Sequence, residues 1–184
     1  MIIKNKVLVK AYGSDVNDDG SIMIPNGILE IGSDAFHGLI NLKTITIPNS
    51  VTKIGYQSFF SCDFLETINM SESITEIGDW AFAFCATLKS IRIPDTVVKI
   101  GKYAFMHCES LESVTLPKGI TEIDYCTFRR CRHLTSIIIP NNIRKIDDGA
   151  FVMCPLTTVQ IPKHTTVSRS AFHIDVVLER YIDD

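Results

Sequence analysis

The chain has 184 residues, with 18 basic against 21 acidic side chains and a net charge of −3. That balance excludes a dedicated nucleic-acid binder, which needs a dense basic footprint. Hydrophobic residues at 46% and charged residues at 21% match folded domains and exclude a disordered tail protein.

No apolar run approaches the roughly 20 residues that a membrane-spanning helix needs. The start, Met1-Ile2-Ile3-Lys4-Asn5-Lys6, lacks the apolar segment of a secretory signal. The expectation is a cytoplasmic chain without membrane insertion. A surface or secreted protein whose leader had been removed would read the same way.

In chain order, Ile2-Ile3 and Val7-Leu8-Val9 predict a β-hairpin turning through Lys4-Asn5-Lys6, so residues 1–21 form an N-terminal cap. Asp15-Val16-Asn17-Asp18-Asp19-Gly20 resembles the start of a calcium loop, but the twelfth position from Asp15 is Asn26. A calcium loop needs a bidentate Glu there, so the segment reads as a turn into Ile22 and no metal site is expected.

From Ile22 the chain repeats itself. Phe36, Phe59, Phe82, Phe105, Phe128 and Phe151 are 23 residues apart, as are Leu42, Leu65, Leu88, Leu111 and Leu134. Copies begin at Ile22, Ile45, Ile68, Ile91, Val114, Ile137 and Val159. Residues 22–158 hold six repeats; residues 159–184 hold an atypical last repeat and a C-terminal cap, with Val176-Val177-Leu178 as a last strand before the charged tail Glu179, Arg180, Asp183 and Asp184. A coil this short buries nothing alone, whereas stacked coils share one continuous core.

Within one unit, Ile45-Thr46-Ile47 alternates as a short strand that Pro48 ends. The column Gly32, Gly55, Gly78, Gly101, Asp124, Asp147 predicts a tight turn at positive φ, which Gly and Asp tolerate. Phe59, Cys62 and Leu65 are three apart, which predicts a short helical segment. The fold is therefore expected to be an α/β solenoid of about seven coils of 23 residues, with a parallel sheet on one face and short helices or turns on the other.

Five of the six cysteines, Cys62, Cys85, Cys108, Cys131 and Cys154, share one column that Leu39 holds in the first full coil. A column that accepts Leu is core, where free Cys acts as a small hydrophobe. A row of sulfurs about 4.8 Å apart matches neither zinc geometry nor the Cβ approach a disulfide needs. Cys126 falls outside this row and is expected to be solvent-accessible.

On the surface, Glu30, Lys53, Glu76, Lys99, Glu122 and Lys145 alternate in sign, and so do Lys43, Glu66, Lys89 and Glu112. A slip of one coil would set like charges together, so both columns read as register devices. The hydroxyl column Ser21, Thr44, Thr67, Ser90, Ser113, Ser136, Thr158 reads as scaffold that satisfies backbone groups. The basic run Arg129-Arg130-Cys131-Arg132-His133 reads as a face paired with Glu109, Asp147 and Asp148. Binding should lie where columns vary. The variable strand column is Met23, Thr46, Asn69, Arg92, Thr115, Ile138 and Gln160, and the candidate protein-binding residues are Asn69, Arg92, Thr115 and Ile138. Tyr56, Trp80 and Tyr103 join them, because aromatic side chains are enriched at interfaces. No phosphate loop, nucleophile elbow or zinc-protease motif is present, so no catalytic residue and no cofactor are assigned.

The unit resembles the BspA-like (Treponema pallidum-type) leucine-rich repeat. Ile91-Arg92-Ile93-Pro94, Val97, Ile100-Gly101, Ala104-Phe105, Cys108 and Leu111 reproduce its pattern in full, and the resemblance covers about residues 22–175. It implies a non-enzymatic module for protein binding, adhesion or host interaction at a cell surface. Its partner would be a protein ligand, with a self-assembling structural role as the alternative.

Overall fold

The computed structural model describes residues 1–182; Asp183 and Asp184 of the charged tail lie outside the described residues. Strands β1 (Ile2–Lys4) and β2 (Val7–Lys10) form the antiparallel hairpin. Asn5 and Lys6, at φ 49° and 64°, make the two-residue turn whose twist suits such a hairpin.

Each coil then contributes a three-residue strand and a two-residue strand. The pairs are β3 (Ser21–Met23) with β4 (Glu30–Ile31), and β5 (Thr44–Thr46) with β6 (Lys53–Ile54). They continue as β7 (Thr67–Asn69) with β8 (Glu76–Ile77), β9 (Ser90–Arg92) with β10 (Lys99–Ile100), and β11 (Ser113–Thr115) with β12 (Glu122–Ile123). The sixth coil has only β13 (Lys145–Ile146), since residues 136–139 take no regular structure. Strands β14 (Thr158–Pro162), β15 (Thr166–Val167) and β16 (Val177–Tyr181) complete the series.

Stacking in register makes two parallel ladders. Ladder A contains the three-residue strands in the blocks β3-β5-β7 and β9-β11, and the five-residue strands in the block β14-β16. Ladder B runs β2-β4-β6-β8-β10, with β1 outside β2, and then β12-β13-β15. The eight parallel rungs of ladder B include the N-terminal strand β2 as well as the seven repeats.

The third side is built from turns. Among the described residues the one helical element is a 3-10 turn at Gly13–Asp15, so the expected helical segments are absent. Two left-handed residues in each of the first six coils explain this, for example Gln57 and Ser61 at φ 49° and 54°, because such residues break a right-handed helix. The amides of Gln57, Phe59 and Ser61 instead donate to Asp79, Ala81 and Ala83 carbonyls of the next coil, at 3.0, 2.8 and 2.9 Å. The same forward ladder continues to Phe151, whose amide donates to Ala171 O at 2.7 Å.

The glycine column also differs from expectation. None of Gly32, Gly55, Gly78 and Gly101 has positive φ. A Cβ on Gly55 would lie 2.9 Å from Gly32 C and Ile31 O of the preceding coil, so the column is glycine because two backbones pass close together. Ladder B is interrupted at the step where Asp124 first replaces the glycine, between β10 and β12.

The core is a stack of identical columns. The rings of Phe36, Phe59, Phe82, Phe105, Phe128, Phe151 and Phe172 lie 4.7 to 5.4 Å apart and nearly parallel. Each thiol of the cysteine row donates to a Phe carbonyl one coil back, as Cys108 Sγ does to Phe82 O at 3.2 Å and Cys62 Sγ to Phe36 O at 3.1 Å. The row is thus a core column with its weak donors satisfied. Cys126 is buried too, contrary to expectation, with 1% exposure. The glycine of the next coil makes room for it: a Cβ on Gly149 would fall 2.5 Å from Cys126 Sγ.

Other columns behave unevenly. Glu76 pairs with both Lys53 (3.6 Å) and Lys99 (3.2 Å), whereas Lys145 pairs with Asp147 instead of Glu122. Lys43, Glu66, Lys89 and Glu112 form no ion pair among the described residues. Threonine hydroxyl-to-backbone bonds come from Thr52, Thr75, Thr87, Thr96, Thr127 and Thr165, not from the hydroxyl column read in the sequence.

Candidate interaction surface

Alternation within the three-residue strands sends the middle residue inward and its neighbours outward. Ile22, Ile45, Ile68 and Ile91 are accordingly buried, while Met23, Thr46, Asn69, Arg92 and Thr115 are exposed. The outer face of ladder A therefore carries two columns side by side, one uniformly hydroxylated and one variable. Met23 and Ile138 are 81% and 86% exposed, far above what an apolar side chain needs for packing.

Asn69 Nδ2 donates to Thr46 Oγ1 at 3.3 Å, tying two variable positions together. Arg92 forms an ion pair with Glu72, which also raises its already high pKa. Glu72 belongs to the preceding coil, so the pair spans the gap between β7 and β9. Sequence reading did not include Glu72; its signal is that it follows Ser71, the one residue that fills a proline position. The strip around Arg92 is thus a charge pair, not a lone cation. Beyond β11 the missing strand at residues 136–139 leaves a groove of about 390 Å³ beside Ile138, bounded by Thr158, Gln160 and Tyr181. Tyr181 closes its far end by donating its hydroxyl to Ile139 O at 2.8 Å.

Tyr56, Trp80 and Tyr103 lie on the turn side, away from the strand column. Trp80 stacks on Tyr103 with centroids 4.0 Å apart, and Tyr103 meets Tyr125 edge-on at 5.2 Å. Trp80 also touches Phe60, which contacts Phe84, whose ring stacks on His107. Burial, and then the charge of Arg130, lowers the His107 pKa. Trp80 and Tyr103 are half-buried in this aromatic run, whereas Tyr56 is 47% exposed and outside it. Of the basic run, Arg132 pairs with Glu109 at 3.6 Å and Arg130 reaches His107 at 3.3 Å, while Asp147 and Asp148 bond Lys145 and Ser170.

Two parallel ladders, a turn side with its own amide ladder, and buried Ile, Phe, Cys and Leu columns define a leucine-rich-repeat solenoid. The family model for the BspA type leucine rich repeat region matches six copies across residues 17–91 and 57–176, and the chain belongs to that family. Among solved structures, a leucine rich cell surface protein of Faecalibacterium prausnitzii is 29% identical with a TM-score of 0.62, over 86% of this chain and 53% of its own. This chain thus spans about half the length of that protein. The leucine-rich repeat protein of T. pallidum is 27% identical with a TM-score of 0.58, over 76% of this chain and 78% of its own. One from Bacteroides ovatus is 26% identical with a TM-score of 0.54, over 83% and 55%. No curated protein matches. No helix among the described residues is long and apolar enough to cross a membrane.

Proposed function

We propose that this repeat scaffold is a non-enzymatic protein-interaction module that binds a protein ligand through the variable outer column of ladder A, from Asn69 through Arg92 and Thr115 to Ile138. The carrying observation is the contrast between buried columns that hold one residue type and an adjoining exposed column that does not. A location at the cell surface is supported by the description of the F. prausnitzii relative as a cell surface protein. Folds of this kind host many roles, so the assignment rests on the surface and not on the fold.

The test is a quantitative pull-down from lysate and surface extract, comparing the unaltered chain with Arg92→Glu and with Tyr56→Ala/Trp80→Ala. A partner lost with Arg92→Glu alone supports recognition on the sheet face. Loss with the aromatic pair alone moves the site to the turn side. A self-assembling structural role is the second reading, favoured by the one-sided pairing of β3 at the end of ladder A and by exposed Met23 and Ile138. A mass in light scattering that is independent of concentration and equal to 20.6 kDa would remove it.

A further inference from the structure

The corner that follows each ladder A strand changes sign along the stack. Its leading position is Glu72 and Asp95 in the middle coils, then Lys118, Asn141 and Lys163. Three positions further on, Thr75, Val98 and Thr121 give way to Arg144. At this basic end Lys118, Arg144, Lys163 and His164 line one open cleft of about 940 Å³. Pro140, Pro162, Tyr181 and Ile182 supply its apolar wall.

The cleft is held from behind. Arg180 donates to Lys163 O and Thr165 O at 3.0 Å each, which fixes the turn and places a fourth cation behind Lys118, Arg144 and Lys163. Asn142 donates to the carbonyls of Ile120 and Pro117, and Thr165 Oγ1 to Ile143 O at 2.7 Å. No carboxylate lines the cleft among the described residues. Lys118 is paired with Asp95 at 3.7 Å. Arg144, Lys163 and His164 form no ion pair among the described residues.

We propose that this cleft binds an acidic, partly apolar peptide segment of a partner protein. Its cations are concentrated on a chain whose net charge is −3, so the attraction is local, and a concave site focuses it. The wall also presents Ile182, 70% exposed, beside half-buried Pro140, and a bare phosphate does not cover such apolar surface. A duplex nucleic acid needs a longer basic track than one corner. Acidic side chains alternating with apolar ones satisfy both demands. The cleft shares Tyr181 with the groove beside Ile138, but Arg144 and Lys163 lie outside the outer column of ladder A, so the charge reversals here and Arg92→Glu there can fail independently.

The probe is a short fluorescein-labelled peptide alternating glutamate with phenylalanine, titrated by anisotropy into the full chain. Its counterpart with glutamine for glutamate is the control. The glutamate peptide should bind at least about tenfold tighter than the control, and Arg144→Glu/Lys163→Glu should remove at least that factor, since like charges repel across an interface. Arg169→Glu, an exposed change outside the cleft, should leave binding unchanged, and circular dichroism checks that all variants fold. About 1 M salt, where screening acts within about 3 Å, should weaken binding. Because Asp183 and Asp184 directly follow Ile182 in sequence, Asp183→Asn/Asp184→Asn should bind at least as tightly as the unaltered chain. Equal binding of both peptides, indifference to the charge reversal, or weaker binding by the double Asn chain would overturn the assignment. Binding of a heparin oligosaccharide without the peptide would also overturn it, in favour of a sulfated glycan.

Discussion

A methyl group at Gly78 separates two reasons for a glycine column. The Cβ would sit 2.8 to 2.9 Å from Gly55 C, Gly55 O and Tyr56 N, all backbone atoms that no rotamer change can clear. Overpacking of this kind costs about 1–3 kcal/mol. For a chain of this length each kcal/mol lowers Tm by about 2–4 °C, so Gly78→Ala should melt roughly 2–12 °C below the parent. The discriminating partner is Gly78→Asn. Asn tolerates positive φ better than Ala, so a column that needed a left-handed turn would favour it. Close backbone approach reverses that order, because Asn brings the same Cβ and further atoms. Thermal melts by circular dichroism and urea titrations of the three chains decide the matter. Hydrogen exchange gives the local readout: the Gly78 amide, which donates to Ile54 O at 2.8 Å, should lose protection in Gly78→Ala. An Ala chain within about 0.5 kcal/mol of the parent, or an Asn chain more stable than the Ala chain, would refute the close-approach account.

Phe105→Ala empties the middle of the ring stack, between Phe82 at 5.3 Å and Phe128 at 5.4 Å. It should cost about 3–5 kcal/mol, measured by urea unfolding. Burial pushes the thiols of Cys62 and Cys108 up to about 12, and those of Cys85 and Cys131 well above the ordinary range. Since the thiolate is the nucleophile, iodoacetamide at neutral pH should label none of these in the native chain and all six cysteines after unfolding. Mass spectrometry reads the outcome, and early native labelling of Cys126 would contradict its burial. Hydrogen bonds from Lys145 and then the Asp148 amide hold the Asp147 carboxyl below its ordinary range. A depressed folded pKa adds stability above the unfolded carboxyl's value of about 3.9, and this is lost as pH falls through the folded value. Asp147→Asn should therefore lower the urea midpoint at neutral pH, with the gap closing in acid. A gap that does not change with pH would argue against the linkage.

The coil period and the inward columns were legible because each column repeats in phase, and one strand such as Ile91-Arg92-Ile93 states which side faces the core. The hairpin at Asn5-Lys6 was legible for the same local reason. The turn side was not. A spacing of three between Phe59, Cys62 and Leu65 fits a helix or a chain of turns equally well, and the left-handed Gln57 and Ser61 carry no Gly or Asn to announce them. Gly55 was visible as a required glycine, but the requirement comes from Gly32 one coil away, which local pattern cannot express. Cys126 looked exposed because its column holds Gln57, Trp80 and Tyr103; only the coil after it, with Gly149, decides its burial. On the candidate surface the exposure of Arg92 and Ile138 followed from alternation, whereas the Glu72 partner and the groove beside Ile138 depend on where the strand ladder is interrupted.

Those interruptions have a mechanical consequence. Ladder A is open between β7 and β9 and again between β11 and β14; ladder B is open between β10 and β12. No two gaps fall at the same joint. Where ladder A is open, β8-β10 or β12-β13-β15 bridges it, and where ladder B is open, β9-β11 does. The amide ladder on the turn side crosses every one of these joints. The coils are laid like courses of brick with staggered seams, so a pull along the stack meets an intact tie at each level. Such a rod has no preferred plane at which to snap and should peel from its ends, one course at a time.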